Sequence, residues 1–335
     1  MSKPTEDGNR LDAALPNELP PVEPPSAGFI IQLFVLPAVI VAVVIVVWLL
    51  FGKLAGGERD PMDYVRTIRQ GNAHQSYRAA FELASLIRND RRVAGDRRLL
   101  GELTAALNEA LERPGDDPRL PQYLALTLGA FEASGAESAD GRPADPIAAL
   151  ARALGPKQPV DVREAAAVSL AEQAARRQGA LRDAGAVRAL DEACAEGPPE
   201  LRRRAAFALG FFGGEPAAEA LRRRLSAAEE DRFVRYNAAT ALARQGDLAA
   251  LDVAREMLTP GELEQVVPLE STLEKQHAVE QIQLEALRAL DYSARHGRPD
   301  LARRLRTEVV ALTKSGLVGV RTEAAAVLKL LPESR

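Results

Sequence analysis

Two arginine triplets, Arg202-Arg203-Arg204 and Arg222-Arg223-Arg224, are the densest run of one chemistry in this 335-residue chain. Across residues 201–225 their charges are answered only by Glu215 and Glu219. Such a cluster suits an acidic protein segment, anionic lipid headgroups or nucleic-acid phosphates. The competing reading is a solvated helix face, because consecutive residues point around a helix and a triplet cannot lie on one side of it.

Apolar chemistry is concentrated at two places. Aromatic residues make up only 4% of the chain, yet Phe207, Phe211 and Phe212 fall together. Phe207 and Phe211 are spaced i, i+4 on one helical face and are expected in the core. Phe212 then points elsewhere, as a candidate anchor for a partner. The stretch 259–276 carries Leu263, Val266, Val267 and Leu269 among acidic residues. It reads either as a binding loop, with Leu263, Val266 and Val267 as contacts, or as an extra short helix.

Little else offers reactivity. Cys194 is the sole cysteine, which excludes an intrachain disulfide and a cysteine metal cluster. With Val187 and Leu190 it forms an i, i+3, i+7 stripe, the placement of a buried residue. The histidines are His74, His277 and His296, and no helix presents a carboxylate-plus-histidine metal set. The sequence Gly210-Phe211-Phe212-Gly213-Gly214 lacks the Lys-Ser/Thr of a phosphate-binding loop and reads as a turn. No catalytic residue, cofactor or metal is therefore expected. A net charge of −4 gives no global field to recruit nucleic acid.

The elements that would carry these residues are repeats. An apolar residue, an arginine, an Ala-Ala pair and a leucine recur with fixed spacing. They run from Val162-Arg163 through Ala166-Ala167 to Leu170, and from Leu201-Arg202 through Ala205-Ala206 to Leu209. Two more copies start at Val234-Arg235 and Val320-Arg321. Weaker copies begin at Leu120 and Ile282, and a degenerate first copy holds Ala79-Ala80 and Leu83. Starts at 120, 162, 201, 234, 282 and 320 give steps near 40, the length of a two-helix repeat. Positions i, i+4 and i+8 share one helical face, so each copy makes an apolar stripe, and alanine lets the next repeat approach closely. Second amphipathic stretches lie between them, as in residues 186–195 and 247–258. Gly179, Gly213-Gly214, Gly246 and Gly297 follow expected helix ends, and Asp60-Pro61, Asp117-Pro118 and Asp145-Pro146 read as helix starts. About seven stacked pairs would bury a continuous core.

This pattern resembles the HEAT-repeat family, in particular the short bacterial form related to phycobilisome-lyase-type repeats. The resemblance covers roughly residues 63–331 and implies an all-α, HEAT-type solenoid of about seven helix pairs. It implies that Arg163, Arg202, Arg235 and Arg321 are structural, making inter-repeat polar contacts with nearby acids such as Asp161 and Asp231. It leaves function open, because the repeat serves many tasks. The nearest enzymatic alternative it suggests is a bilin-lyase-like activity.

Ahead of the repeats, residues 28–51 form an apolar run whose one polar side chain is Gln32. At 1.5 Å per residue that run reaches roughly 36 Å, enough for a hydrocarbon core of about 30 Å. The organisation expected is a proline-rich acidic tail over 1–27, a transmembrane helix over 28–52, a linker over 53–62 and a solenoid over 63–335. Arg10 on one side against Lys53, Arg59, Arg66 and Arg69 on the other places the solenoid in the cytoplasm. Trp48 suits an interfacial anchor or a lipid-facing position. The arrangement also resembles bacterial single-pass proteins with a cytoplasmic HEAT-like region, which are generally inferred to be interaction factors. The functional expectation is an inner-membrane scaffold for a protein partner, with lipid or nucleic-acid binding as the other alternative and nucleic acid the less favoured.

Overall fold

The computed structural model describes residues 28, 36–55, 60–112, 117–133, 135–137, 143–227, 230–266 and 271–331. The chain forms two units, 1–59 and 60–335. In the first, helix α1 spans Leu36–Ala55. Its described side chains, 37–48, include exposed Val39, Val43, Ile45 and Trp48. Among the described residues no helix is long and apolar enough to cross a membrane. The tail over 1–27 and residues 29–35 of the apolar run lie outside the described residues.

The second unit begins with α2 (Pro61–Gln70), whose first two residues fall in the stretch read as linker, and α3 (Ala73–Asn89). There follow α4 (Arg91–Ala94), α5 (Arg97–Glu112), α6 (Arg119–Ala130), α7 (Pro146–Ala153) and α8 (Val160–Arg176). Then come α9 (Ala184–Glu196), α10 (Pro199–Leu209), α11 (Glu215–Ser226) and α12 (Arg232–Arg244). A 3-10 turn, Leu248–Ala250, leads to α13 (Leu251–Leu258), α14 (Pro260–Val266) and α15 (Thr272–Arg295). The unit ends with α16 (Asp300–Arg304), α17 (Arg306–Leu312) and α18 (Val318–Lys329). Between α6 and α7 the strands β1 (Ala136–Glu137) and β2 (Pro143–Ala144) pair antiparallel, a small hairpin that the helical pattern did not announce.

Each copy of the repeated signature is the second helix of a pair. These helices stack in order, α3 on α6, then α8, α10, α12, α15 and α18. The first helices form the other layer, with α2, α5, α7, α9 and α11 in successive contact, and α13 against α17. Seven pairs are thus present among the described residues. The stripe is why they stack: Val162, Ala166 and Leu170 are fully buried, as are Leu201, Ala205 and Leu209, and Val234, Ala238 and Leu242. Alanine at the centre of each stripe brings neighbouring backbones together, and leucine at its end fills the space between.

Polar side chains tie one stacked helix to the last. Thr127 Oγ1 donates to the Ala80 carbonyl at 3.2 Å, and one repeat later Ser169 Oγ donates to the Ala125 carbonyl at 2.8 Å. Gln173 Nε2 donates to the carbonyls of Leu128, Gly129 and Phe131 at 2.8, 3.2 and 3.0 Å. These are the acceptors that the end of α6 leaves without partners. Asp60 and Asp145 cap α2 and α7 by accepting from Met62 N and Ala148 N. Asp117 accepts from Arg119 N just before α6. At the joins, Gly179, Gly214, Gly246 and Gly297 all have positive φ, which glycine adopts without steric cost.

Candidate functional site

The inner faces of α8, α10, α12 and α15 enclose a groove of about 730 Å³. Helix α8 supplies Val168, Ala171 and Glu172, one helical turn apart from one another or less. Helix α10 supplies Phe207, and Phe211 follows it in the turn. The two rings meet edge-to-face at 4.9 Å, a favourable arrangement for aromatic quadrupoles. Phe233 and Asn237 come from α12, and Ile282 and Glu285 from α15. Phe207 remains 50% exposed, with its open side toward the groove.

Arginines brace this wall. Arg203 holds Asp231 at 3.0 and 2.9 Å and lies over the Phe233 ring at 4.8 Å. Arg244 lies over Phe211 at 4.7 Å and donates to the Gly210 carbonyl at 3.2 Å. Burial draws the Arg244 guanidinium below its ordinary pKa, since desolvation disfavours the charged form. Asn237 Nδ2 donates to the Arg203 carbonyl at 3.1 Å, fixing α12 against α10. Solvent reaches Glu285, yet the crowded walls around it displace enough water to push its carboxyl above the ordinary value; Arg244 and Arg288 oppose that shift.

The arginine triplets are engaged by the protein's own acids. Arg202 pairs with buried Glu230, and Arg204 with Glu200 at 2.9 Å and Glu164 at 3.4 Å. Arg222 bridges Glu215 and Asp247 at 2.5 and 2.6 Å. Arg223 and Arg224 share Asp191 at 2.7 and 3.8 Å, and Arg224 also approaches Glu230 at 3.6 Å. Each of the six is therefore committed to an internal ion pair. The triplets thus brace neighbouring helices, while the Arg223 side chain stays 52% exposed.

The motif arginines differ among themselves. Arg163 is buried and its Nε donates to the Leu154 carbonyl at 3.0 Å. Arg321 Nη1 donates to the Ser315 carbonyl at 2.7 Å. Both satisfy a carbonyl near the end of the preceding helix, in place of the acidic partners expected from the sequence. Arg202 does take an acid, Glu230, from the next repeat. Arg235 keeps a buried Nε with no bonding partner among the described residues.

The aromatic assignment is reversed. Phe212, the expected anchor, is 2% exposed, while Phe207 is the open ring. Helix α10 ends at Leu209, so the turn after Gly210 carries Phe212 into the core. Leu263 is likewise fully buried, on a short helix over Pro260–Val266 that packs against α13 and α15. The insertion is an extra helix there, and Leu263 is removed from the binding contacts. The Val266 side chain and Val267 lie outside the described residues. Sequence reasoning missed Glu172 and Glu285, since single carboxylates on two separate helices carry no mutual spacing. Phe207 was readable: it falls off the Leu201, Ala205, Leu209 stripe.

Among the described residues no group of three His, Cys, Asp or Glu is placed to hold a metal ion. His74 bonds Tyr77 and His296 stacks on Tyr292 at 4.0 Å, each a local contact. Cys194 is buried, and burial pushes its thiol up to about 12.

Residues 187–267 match the family model of HEAT repeats. No curated protein matches the chain. Among solved structures, an engineered protein is similar at 21% identity and a TM-score of 0.48, over 81% of this chain and 68% of that one. A designed armadillo repeat protein is similar at 14% and 0.43, over 82% and 100%. Human deoxyhypusine hydroxylase is similar at 18% and 0.29, over 84% and 98%.

Proposed function

We propose that this chain is a membrane-anchored, non-enzymatic scaffold whose helical solenoid binds a protein partner in the groove between α8 and α15. The observation that carries the reading is Phe207: a large ring half open to a groove, braced from behind by Phe211 and Arg244. Aromatic residues fixed in this way are the anchors on which protein interfaces depend. Stacked repeats suit the task, because each contributes one strip of a long surface.

The anchor rests on the sequence. Residues 28–51 are apolar but for Gln32, and α1 exposes Val39, Ile40, Val43 and Val44 on all sides, which water disfavours and lipid tolerates. The basic residues at 53, 59, 66 and 69 favour a cytoplasmic solenoid on the inner membrane of a bacterium. Tethering would raise the local concentration of the groove beside a membrane-bound partner.

The test is purification from native membranes in mild detergent, with chemical crosslinking and mass spectrometry. A stoichiometric partner crosslinked along the stacked second helices supports the scaffold. Extraction of the protein by carbonate without detergent would overturn the anchor, and self-crosslinks alone would overturn the partner.

A further inference from the structure

The groove has a chemical preference written in what its side chains leave unused. Arg203 is spent on Asp231 through two hydrogen bonds, and Arg204 on Glu200 and Glu164. Glu172 on α8 and Glu285 on α15 face the same space from opposite walls. Neither has a hydrogen bond or ion pair among the described residues, though Arg244 and Arg288 lie within electrostatic reach of Glu285. The floor between them is apolar, with Val168, Ala171, Phe207 and Ile282. Carboxylates in a partly dehydrated apolar groove gain most from a cation that brings its own hydrogen-bond donors.

The groove also restricts the shape of an occupant. All four walls are helices whose backbone groups are satisfied internally, so no strand edge is offered for an extended peptide to join. Asn237, the amide in the wall, already donates to the Arg203 carbonyl. A helix brings its backbone bonds with it and presents only side chains at i, i+3, i+4 and i+7.

Resting on the scaffold reading above, we infer that the groove receives an amphipathic helix of a partner protein, its apolar stripe against Phe207 and lysines or arginines flanking that stripe, one at Glu172 and one at Glu285. The partner is recognised by basic charge beside the apolar stripe. An acidic helix of the same apolar content is rejected, because it would set like charges against both carboxylates.

The experiment uses the full chain in phosphatidylcholine nanodiscs and two dansyl-labelled model peptides. Both carry the same leucine stripe, one flanked by lysine and the other by glutamate. Anisotropy titration is expected to show the lysine peptide binding at least tenfold tighter. The double variant Glu172→Gln, Glu285→Gln should erase that difference, and Asp252→Asn, on an outer helix, should leave it intact. Circular dichroism melting confirms that each variant folds. Equal binding of the two peptides, or an undiminished preference in the double variant, overturns the charge inference. Phe207→Ser separates the two layers. If it weakens both peptides while the glutamine variant changes nothing, the groove stands and its basic preference falls. If Phe207→Ser leaves both affinities unchanged, the groove is not the seat of binding and both readings fall.

Discussion

The guanidinium of Arg203 reaches from α10 to both carboxylate oxygens of Asp231, at 3.0 and 2.9 Å, while lying over the Phe233 ring that Asp231 positions. One residue thus joins the stacking of two repeats to the shape of the groove wall. Asp231 also caps α12, accepting from Phe233 N at 3.0 Å and Val234 N at 3.3 Å. Arg203→Met should therefore destabilise the fold by about 1 kcal/mol, the pair being partly exposed and screened. Asp231→Ala should cost about 1 kcal/mol more, through the lost cap. Urea unfolding of both single variants and the double would show coupling; strict additivity would mean that the contact carries no energy.

The same pair sets a pH dependence. The hydrogen bond from Arg203 holds the Asp231 carboxyl below its ordinary value of 3.8, with burial opposing. A depressed folded-state pKa contributes stability that is present above the unfolded value and lost as pH falls through the folded one. Unfolding free energy measured from pH 5 downward should fall less steeply in Arg203→Met than in the parent. Identical slopes would remove Asp231 from the acid response.

Gln173 shares its two amide N–H donors among three carbonyls at the end of α6 and is 2% exposed. Gln173→Leu keeps the bulk and strands those acceptors, so a loss of roughly 2–3 kcal/mol is expected. A thermal midpoint within a degree of the parent would contradict this.

Gly213 and Gly179 meet across a join between repeats. A Cβ on Gly213 would lie 1.9 Å from the Gly179 carbonyl oxygen, a backbone atom that cannot swing away. Gly179 itself has φ +81 but open space around a Cβ. Gly213→Ala is expected to cost more than Gly179→Ala, whose cost is confined to the backbone conformation at about 1 kcal/mol. Calorimetric melting of the two variants gives the order, and the reverse order would contradict the close approach.

Cys194 should be silent in the native state. Its thiol is buried and pushed up to about 12, so almost no thiolate forms at pH 8. Iodoacetamide should label it only after denaturation, read by intact mass. Rapid native labelling would show that α9 opens there.

The repeats were legible because each signature helix must bury the same stripe: Val162, Leu201 and Val234 occupy one position and are all fully buried. The groove was not legible, because it is assembled from the inner faces of four such helices, and no spacing in sequence relates Glu172 to Glu285. The error at Phe212 came from extending the helical period past Gly210, where α10 has already ended. Phe207 and Phe211 do touch as i, i+4 neighbours, but on the open side of the helix. The ion pairs of the triplets were legible only in part: Glu200 and Glu215 lie close in sequence, but Arg203 and Asp231 are 28 residues apart, and Arg222 and Asp247 are 25 apart.

The central claim is that the groove around Phe207 is where a protein partner sits. The most direct measurement places the photoreactive residue p-benzoylphenylalanine at position 207, and separately at Asp252 on α13, then irradiates native membranes. A discrete crosslinked partner from position 207, absent from position 252, is the expected result. Equal labelling from both positions, or none from 207, would contradict it.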